Sequence, residues 1–140
     1  MDTHLSPSDL PHAALTERII GCFFDVFGEL GHGFSEAVLR NAMAVALTQS
    51  GLSVRRESKI EVPFRGHLIG VFYADLIVED TILVEIKATS TIEPYAQAQT
   101  LNYLKACGGG VGLLLNFGRR PELKRFVVGD PNVCLPLLQR

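Results

Sequence analysis

The sequence contains few cysteines, and they are far apart. Its cysteines are Cys22, Cys107 and Cys134, and no two of them have the C-x-x-C spacing of a zinc or thiol-redox site. Scattered single cysteines are typical of small, reduced core residues. We therefore expect them to be core residues of a cytoplasmic protein.

A strong excess of positive charge is also lacking. The net charge is −2 and the isoelectric point is near 6.1, so total charge alone does not predict nucleic-acid binding. A polyanion would have to bind a local basic patch, which leaves two interpretations open, solvated strand ends or a phosphate track. The available basic residues are Arg55, Arg56, Lys59, Arg65, Arg119, Arg120, Lys124 and Arg125.

No segment resembles a secretory signal or a membrane span. The N-terminal residues Met1–Pro7 lack a basic region followed by an apolar one. The longest apolar candidate, Ile19–Phe27, is short and contains Asp25. We expect no membrane association.

Several common catalytic motifs are absent as well. No serine or cysteine lies in a recognisable nucleophile motif, and Gly108–Gly110 is not followed by the Lys-Ser/Thr pair of a phosphate-binding loop. The histidines do not have the spacing of a zinc site; they are His4, His12, His32 and His67.

The length and composition indicate one compact domain. The chain has 140 residues, 47% of them hydrophobic and 20% charged, which is typical of a single globular domain. Residues 1–13 contain Pro7 and Pro11 and are expected to form a flexible lead-in. Residues 14–140 are expected to form the domain.

Apolar periodicity predicts the order α-α-β-β-β-α-β-β, an α/β fold with a mixed β-sheet flanked by helices. The predicted helices span 14–30, 35–47 and 93–106. The predicted strands span 53–64, 68–78, 82–87 and 111–117, followed by two short elements at 123–128 and 133–137.

The first predicted helix is apolar beyond a single stripe. Cys22 and Phe24 widen its apolar surface, which is typical of a broad core helix and also compatible with a subunit contact. We expect a homo-oligomer on this ground.

The apolar stretch 73–87 reads as a buried β-hairpin with a charged turn at Glu79-Asp80, and three further charged residues interrupt its strands. They are Asp75, Glu85 and Lys87. Because a buried carboxylate needs a compensating partner, they indicate either a divalent metal or a buried ion-pair network. A two-residue loop would separate the two acids onto opposite faces, whereas a three-residue loop, Glu79–Thr81, would pair Asp75 with Glu85. We predict the three-residue loop.

This pattern resembles the active-site signature of the PD-(D/E)XK nuclease superfamily. Asp75 is followed by Glu85-x-Lys87, with Ala74 in place of the usual proline. Gln99 and Tyr103 match the Q-x-x-x-Y motif of the exonuclease-like branch.

The start of a further motif lies near residue 35. Gly33-Phe34-Ser35-Glu36 matches the start of G-x-x-E-x-x-Y, although Leu39 replaces its tyrosine. Over about residues 14–128 the chain is therefore similar to the bacterial GxxExxY protein family.

The resemblance implies a restriction-endonuclease-like fold and a metal-dependent nuclease that acts on DNA, or on RNA. Asp75, Glu85 and the carbonyl of Ile86 would hold Mg²⁺ or Mn²⁺. Lys87 would position water or stabilise developing charge. Glu36 is either a third acidic residue at the metal or a residue of the first helical turn whose carboxylate interacts favourably with the helix dipole.

Two alternatives stay open. Gln99 and Tyr103 lie on one helical face, where they support the site or make an ordinary helix-to-sheet contact. The protein as a whole is either an active nuclease or a catalytically silent member that binds nucleic acid or assembles with itself, an alternative favoured by Leu39 and the modest charge.

Overall fold

The computed structural model describes residues 10–133 and residue 135. Its elements follow the predicted order. The helices are α1 (Ala13–Leu30), α2 (Glu36–Gln49) and α3 (Pro94–Ala106), and the strands are β1 (Val54–Phe64), β2 (His67–Val78), β3 (Ile82–Lys87), β4 (Gly109–Phe117) and β5 (Pro121–Gly129).

The five strands form one mixed sheet in the order β1-β2-β3-β4-β5. Neighbouring strands are antiparallel except β3 and β4, which are parallel because α3 connects them. The predicted mixed sheet flanked by helices is confirmed. Pro63, which cannot donate to a ladder, lies in the edge strand β1 at a register shift.

Helices cover both faces of the sheet. Residues of α1 and α2 pack with Val84 and Ile86 of β3 on one face. Leu104 of α3 packs with Leu83 on the other face. Every residue of β4 is buried, as its mainly apolar sequence predicts for a central strand.

Helix α1 is a broad core helix. Phe23 is fully buried and meets Phe117 of β4 edge to face at 4.9 Å between ring centroids. The Sγ atom of Cys22 lies 3.8 Å from the carbonyl oxygen of Ala46 on α2, so Cys22 belongs to the helix pair. Phe24 remains 47% exposed.

The helix starts follow their sequence signals. The Ser35 hydroxyl caps α2 by accepting a hydrogen bond from the amide of Val38 at 3.3 Å. Pro94 occupies the first turn of α3, where no backbone donor is needed. None of the helices in the described part of the chain has the length and hydrophobicity needed to cross a bilayer.

The two ends of the chain differ from expectation. The first of the two final elements exists as β5, but Val133 and Leu135 lie in neither a helix nor a strand, because Leu135 inserts into the core under β2 and α3 instead of pairing. The rest of the predicted element 133–137 lies outside the described residues, as do Cys134 and residues 1–9 of the predicted lead-in.

A buried asparagine fixes the loop between β3 and α3. Asn116 on β4 is fully buried, and its side chain accepts from the amide of Thr89 and donates to the carbonyl of Thr89, both at 2.9 Å. A Cβ atom at Gly118 would lie 2.6 Å from the same carbonyl oxygen. The loop therefore lies close against the end of β4, which sets the position of α3 relative to Lys87.

We expect Asn116→Ala to destabilise the fold by about 1–3 kcal/mol, because both backbone groups of Thr89 lose their partner. Urea unfolding measures the change. Asn102→Ala on the exposed side of α3 is the control and should change stability little. Equal stability of the Asn116→Ala variant and the wild type would contradict this account of the loop.

Candidate functional site

The hairpin between β2 and β3 has the predicted three-residue loop. Val78 pairs with Ile82 and Leu76 pairs with Val84, so the loop is residues 79–81. Glu79 and Asp80 take left-handed conformations with φ of 55° and 53°. The same register, continued by one residue, brings Asp75 level with Glu85.

At that level two carboxylate oxygens, and not backbone carbonyls, accept hydrogen bonds between the two strands. The amide of Asp75 donates to Glu85 Oε2 at 2.9 Å. The amide of Ile86 donates to Asp75 Oδ2 at 2.8 Å. Each carboxylate thus accepts a backbone hydrogen bond from the opposite strand, which holds the two acids side by side.

Asp75 also lies where β2 changes the face to which its side chains point. Leu76 and Val78 pack on the α1 and α2 side, whereas Phe72 and Ala74 pack on the α3 side, although all four positions are even. Regular alternation would place them on one face. Because alternation is interrupted at Asp75, its carboxylate meets groups from the α2 side as well as from β3.

Arg40 on α2 is the partner of Asp75 that the sequence did not reveal. Its Nη1 lies 3.3 Å from Asp75 Oδ1, and its Nη2 lies 3.0 Å from Glu57 Oε1. The Arg40 and Asp75 side chains are 18% and 19% exposed. A signal was available, since Arg40 follows Glu36 by four residues and shares its helical face.

Glu85 is the most buried charged group of the site, with 5% of its surface exposed. The pKa of Glu85 is raised from 4.5 to about 8. Burial is the largest cause and the charge of Asp75 acts in the same direction, whereas the hydrogen bond from the Asp75 amide and the charge of Lys87 partly offset them. Glu36 also raises this pKa, as the smallest cause. The structure therefore brings Glu36, Asp75, Glu85 and Lys87 within electrostatic reach of each other.

The two predicted residues of α3 reach the same region. Gln99 Oε1 accepts a hydrogen bond from Lys87 Nζ at 3.3 Å. The Tyr103 ring stacks on Phe72 with 3.5 Å between centroids. Burial raises the pKa of the Tyr103 phenol, and the charge of Glu85 adds to the effect. Tyr103 thus makes a helix-to-sheet contact and also lies near the acids.

Leu39 does not belong to this cluster. Its side chain is completely buried in the core on the α1 and α2 side of the sheet, away from solvent. The position that the resemblance gives to a tyrosine is a packing position in this chain.

The donors of the site suit a hard divalent cation. Asp75 and Glu85 place two carboxyl groups side by side, and a bound cation would favour the ionised form of Glu85, which burial and the charge of Asp75 disfavour. Within residues 10–133 and 135, no three histidine, cysteine or acidic side chains are arranged to hold a metal. A metal would therefore depend on Asp75 and Glu85, completed by backbone and water oxygens.

Comparisons with known proteins bear on the family and the fold of the chain. The family model described as the PD-(D/E)XK nuclease superfamily matches residues 13–126. The solved structure titled "Crystal structure of SSO0001" is similar in fold, with a TM-score of 0.51 and 18% identity. The match covers 90% of this chain and 64% of that chain, so this chain spans about two thirds of the length of that protein. The comparison with the curated proteins gave no significant match.

We expect the metal-free protein to lose stability as the pH rises between 4.5 and about 8. In this range the folded chain keeps a proton on Glu85 that the unfolded chain has released, so the unfolded state binds fewer protons and the free energy of unfolding falls with pH. Urea unfolding with EDTA across this range measures the slope.

Glu85→Gln removes the titrating group and should flatten this dependence. Glu17→Gln on the exposed side of α1 is the matched control and should keep the wild-type slope. Identical slopes for the wild type and Glu85→Gln would show that Glu85 does not carry the raised pKa.

Proposed function

Because the chain belongs to the PD-(D/E)XK nuclease superfamily, we propose that it is a metal-dependent nuclease that hydrolyses phosphodiester bonds, with DNA as the favoured substrate. The superfamily generally uses divalent metal ions. The observation that carries the proposal is the pair of hydrogen bonds that hold the two carboxyl groups side by side, from the Asp75 amide to Glu85 and from the Ile86 amide to Asp75, with Lys87 two residues beyond Glu85.

Mg²⁺ or Mn²⁺ is the proposed cofactor. Asp75 and Glu85 would hold it, with the carbonyl of Ile86 as a third oxygen, and Glu36 would add negative charge from the start of α2. When bound, the metal supplies Lewis-acid stabilisation of charge on the phosphate.

Besides the metal, we propose the Lys87 side chain as the positively charged catalytic group. Its ammonium would position the attacking water or stabilise charge developing on the phosphate, where a pre-oriented cation is most effective. The hydrogen bond from Nζ to Gln99 supports this role, because it fixes the ammonium relative to β3. Gln99 is then a positioning residue, and Tyr103 a supporting residue beside Glu85.

We also propose the finer assignment to the GxxExxY group. It is supported by Gly33–Glu36, where Ser35 caps α2 and Glu36 acts electrostatically on Glu85. Since Leu39 is a core residue, its replacement of the motif tyrosine changes packing and leaves the pair of acids in place.

The alternative function is a catalytically silent nucleic-acid-binding or self-assembling protein. The exposed ring of Phe24 on α1 is the observation that favours self-assembly. We propose a homo-oligomer in either case. The buried, unbonded thiols of Cys22 and Cys107 support a cytoplasmic, reducing location.

Cleavage assays on DNA and RNA with Mg²⁺ or Mn²⁺ test the nuclease proposal. We expect Lys87→Ala and Asp75→Ala each to reduce the rate by at least about a hundredfold, because each removes charge stabilisation at the reacting phosphate. Lys105→Ala on the exposed side of α3 is the matched control and should keep the wild-type rate. Absence of cleavage on every substrate, together with stable oligomers by light scattering, would favour the silent protein.

Calorimetric titration with Mn²⁺ tests the ligands independently of activity. We expect Asp75→Asn and Glu85→Gln to abolish measurable binding, because each removes one of the two carboxylates that would bind the metal. Glu36→Gln should weaken binding less, because its effect on the site is electrostatic. An unchanged affinity in Asp75→Asn would exclude Asp75 as a ligand.

A further inference from the structure

A cavity of about 410 Å³ opens beside Asp75, on the side where Arg40 lies. Its lining residues are Arg40, Glu57, Tyr73 and Asp75. Glu85 and Lys87 do not line it. The cavity therefore shares one acid, Asp75, with the proposed metal site. Its volume lies in the range of small-ligand sites, about 300–1,000 Å³.

Tyr73 gives this cavity an exposed aromatic wall. Its side chain is 60% exposed, and it lies two residues before Asp75 on β2. The neighbouring Phe72 points to the other face, where it stacks on Tyr103. Tyr73 has no comparable role in the core, so its ring is free to contact a ligand.

Positive charge lies next to the Tyr73 ring. Lys59 is the direct cross-strand partner of Tyr73, so the two side chains share a face of the β1 and β2 pair. The Lys59 side chain is 50% exposed. Its Nζ lies 4.0 Å from Glu61 Oε2, which is a long distance for an ion pair. Arg40 pairs with both acids of the cavity, with Glu57 at 3.0 Å and with Asp75 at 3.3 Å, and so partly offsets their negative charge.

We propose that this cavity binds an unpaired nucleobase, stacked on Tyr73, next to the phosphate that is cleaved. The proposal rests on the nuclease function above and specifies its substrate as single-stranded or locally unpaired nucleic acid. An exposed aromatic ring beside a lysine is the combination that binds single strands, since the ring stacks on a base and the ammonium contacts the backbone. In a duplex both faces of each base are already stacked, so the ring gains no such contact.

The test measures binding separately from cleavage. Fluorescence anisotropy is recorded with labelled single-stranded DNA, single-stranded RNA and duplex DNA, with Ca²⁺ in place of Mg²⁺. Tyr73→Ala is compared with Tyr73→Phe, and Phe64→Ala, near the turn between β1 and β2, serves as the control for loss of an exposed aromatic ring elsewhere. The two single strands show whether the subsite accepts DNA, RNA or both.

We expect Tyr73→Ala to weaken single-strand binding about tenfold or more, in line with the loss of one stacked base. Tyr73→Phe should bind within about twofold of the wild type, because stacking needs the ring and not the hydroxyl. Binding of duplex DNA should be unchanged by Tyr73→Ala, and Phe64→Ala should bind single strands like the wild type.

Three results would overturn the subsite. They are wild-type affinity of Tyr73→Ala for both single strands, an equal loss on the duplex, and a loss in Tyr73→Phe as large as in Tyr73→Ala. Parallel cleavage assays with Mg²⁺ keep the two proposals distinct. If the wild type cleaves nucleic acid and Tyr73→Ala binds single strands as tightly as the wild type, the subsite proposal alone is refuted. If Tyr73→Ala weakens single-strand binding and the wild type cleaves no substrate, the nuclease proposal alone is refuted.

Discussion

Two like charges are held side by side where β2 and β3 separate. Asp75 and Glu85 each accept a backbone hydrogen bond from the strand of the other, and these bonds fix both carboxylates at the price of burying one of them. Such a pair is unfavourable without nearby cations, because burial and like charge both oppose ionisation. The surrounding structure is arranged to supply those cations.

Each layer of the fold contributes to that arrangement. Helix α2 brings Arg40 to Asp75 from one side of the sheet. On the other side, α3 brings Gln99 to Lys87, and the loop before α3 is fixed by Asn116 on the neighbouring parallel strand. The scaffold therefore positions the acids and their cations from different elements, so that no local segment contains the whole site.

The sequence patterns failed where backbone geometry departs from the ideal. Alternation along a strand assumes a regular pleat, yet β2 changes face at Asp75, and Glu57 on the paired strand has a φ of 51°. This irregularity is what exposes Asp75 to Arg40 and places Tyr73 beside the cavity. Within the described part of the predicted short element at 133–137, Val133 and Leu135 lie in neither a helix nor a strand, and Leu135 fills the core.

The sequence by itself determined the order of elements, the three-residue loop and the level of Asp75 with Glu85, because periodicity and turn length are local properties. It also gave the residues that the family resemblance names. Only the packed fold shows that Arg40 meets Asp75 and that Tyr73 lines a cavity. Those contacts depend on how the helices pack on the sheet. Packing brings together residues that are far apart in the sequence, and no periodic pattern in the sequence predicts such pairs.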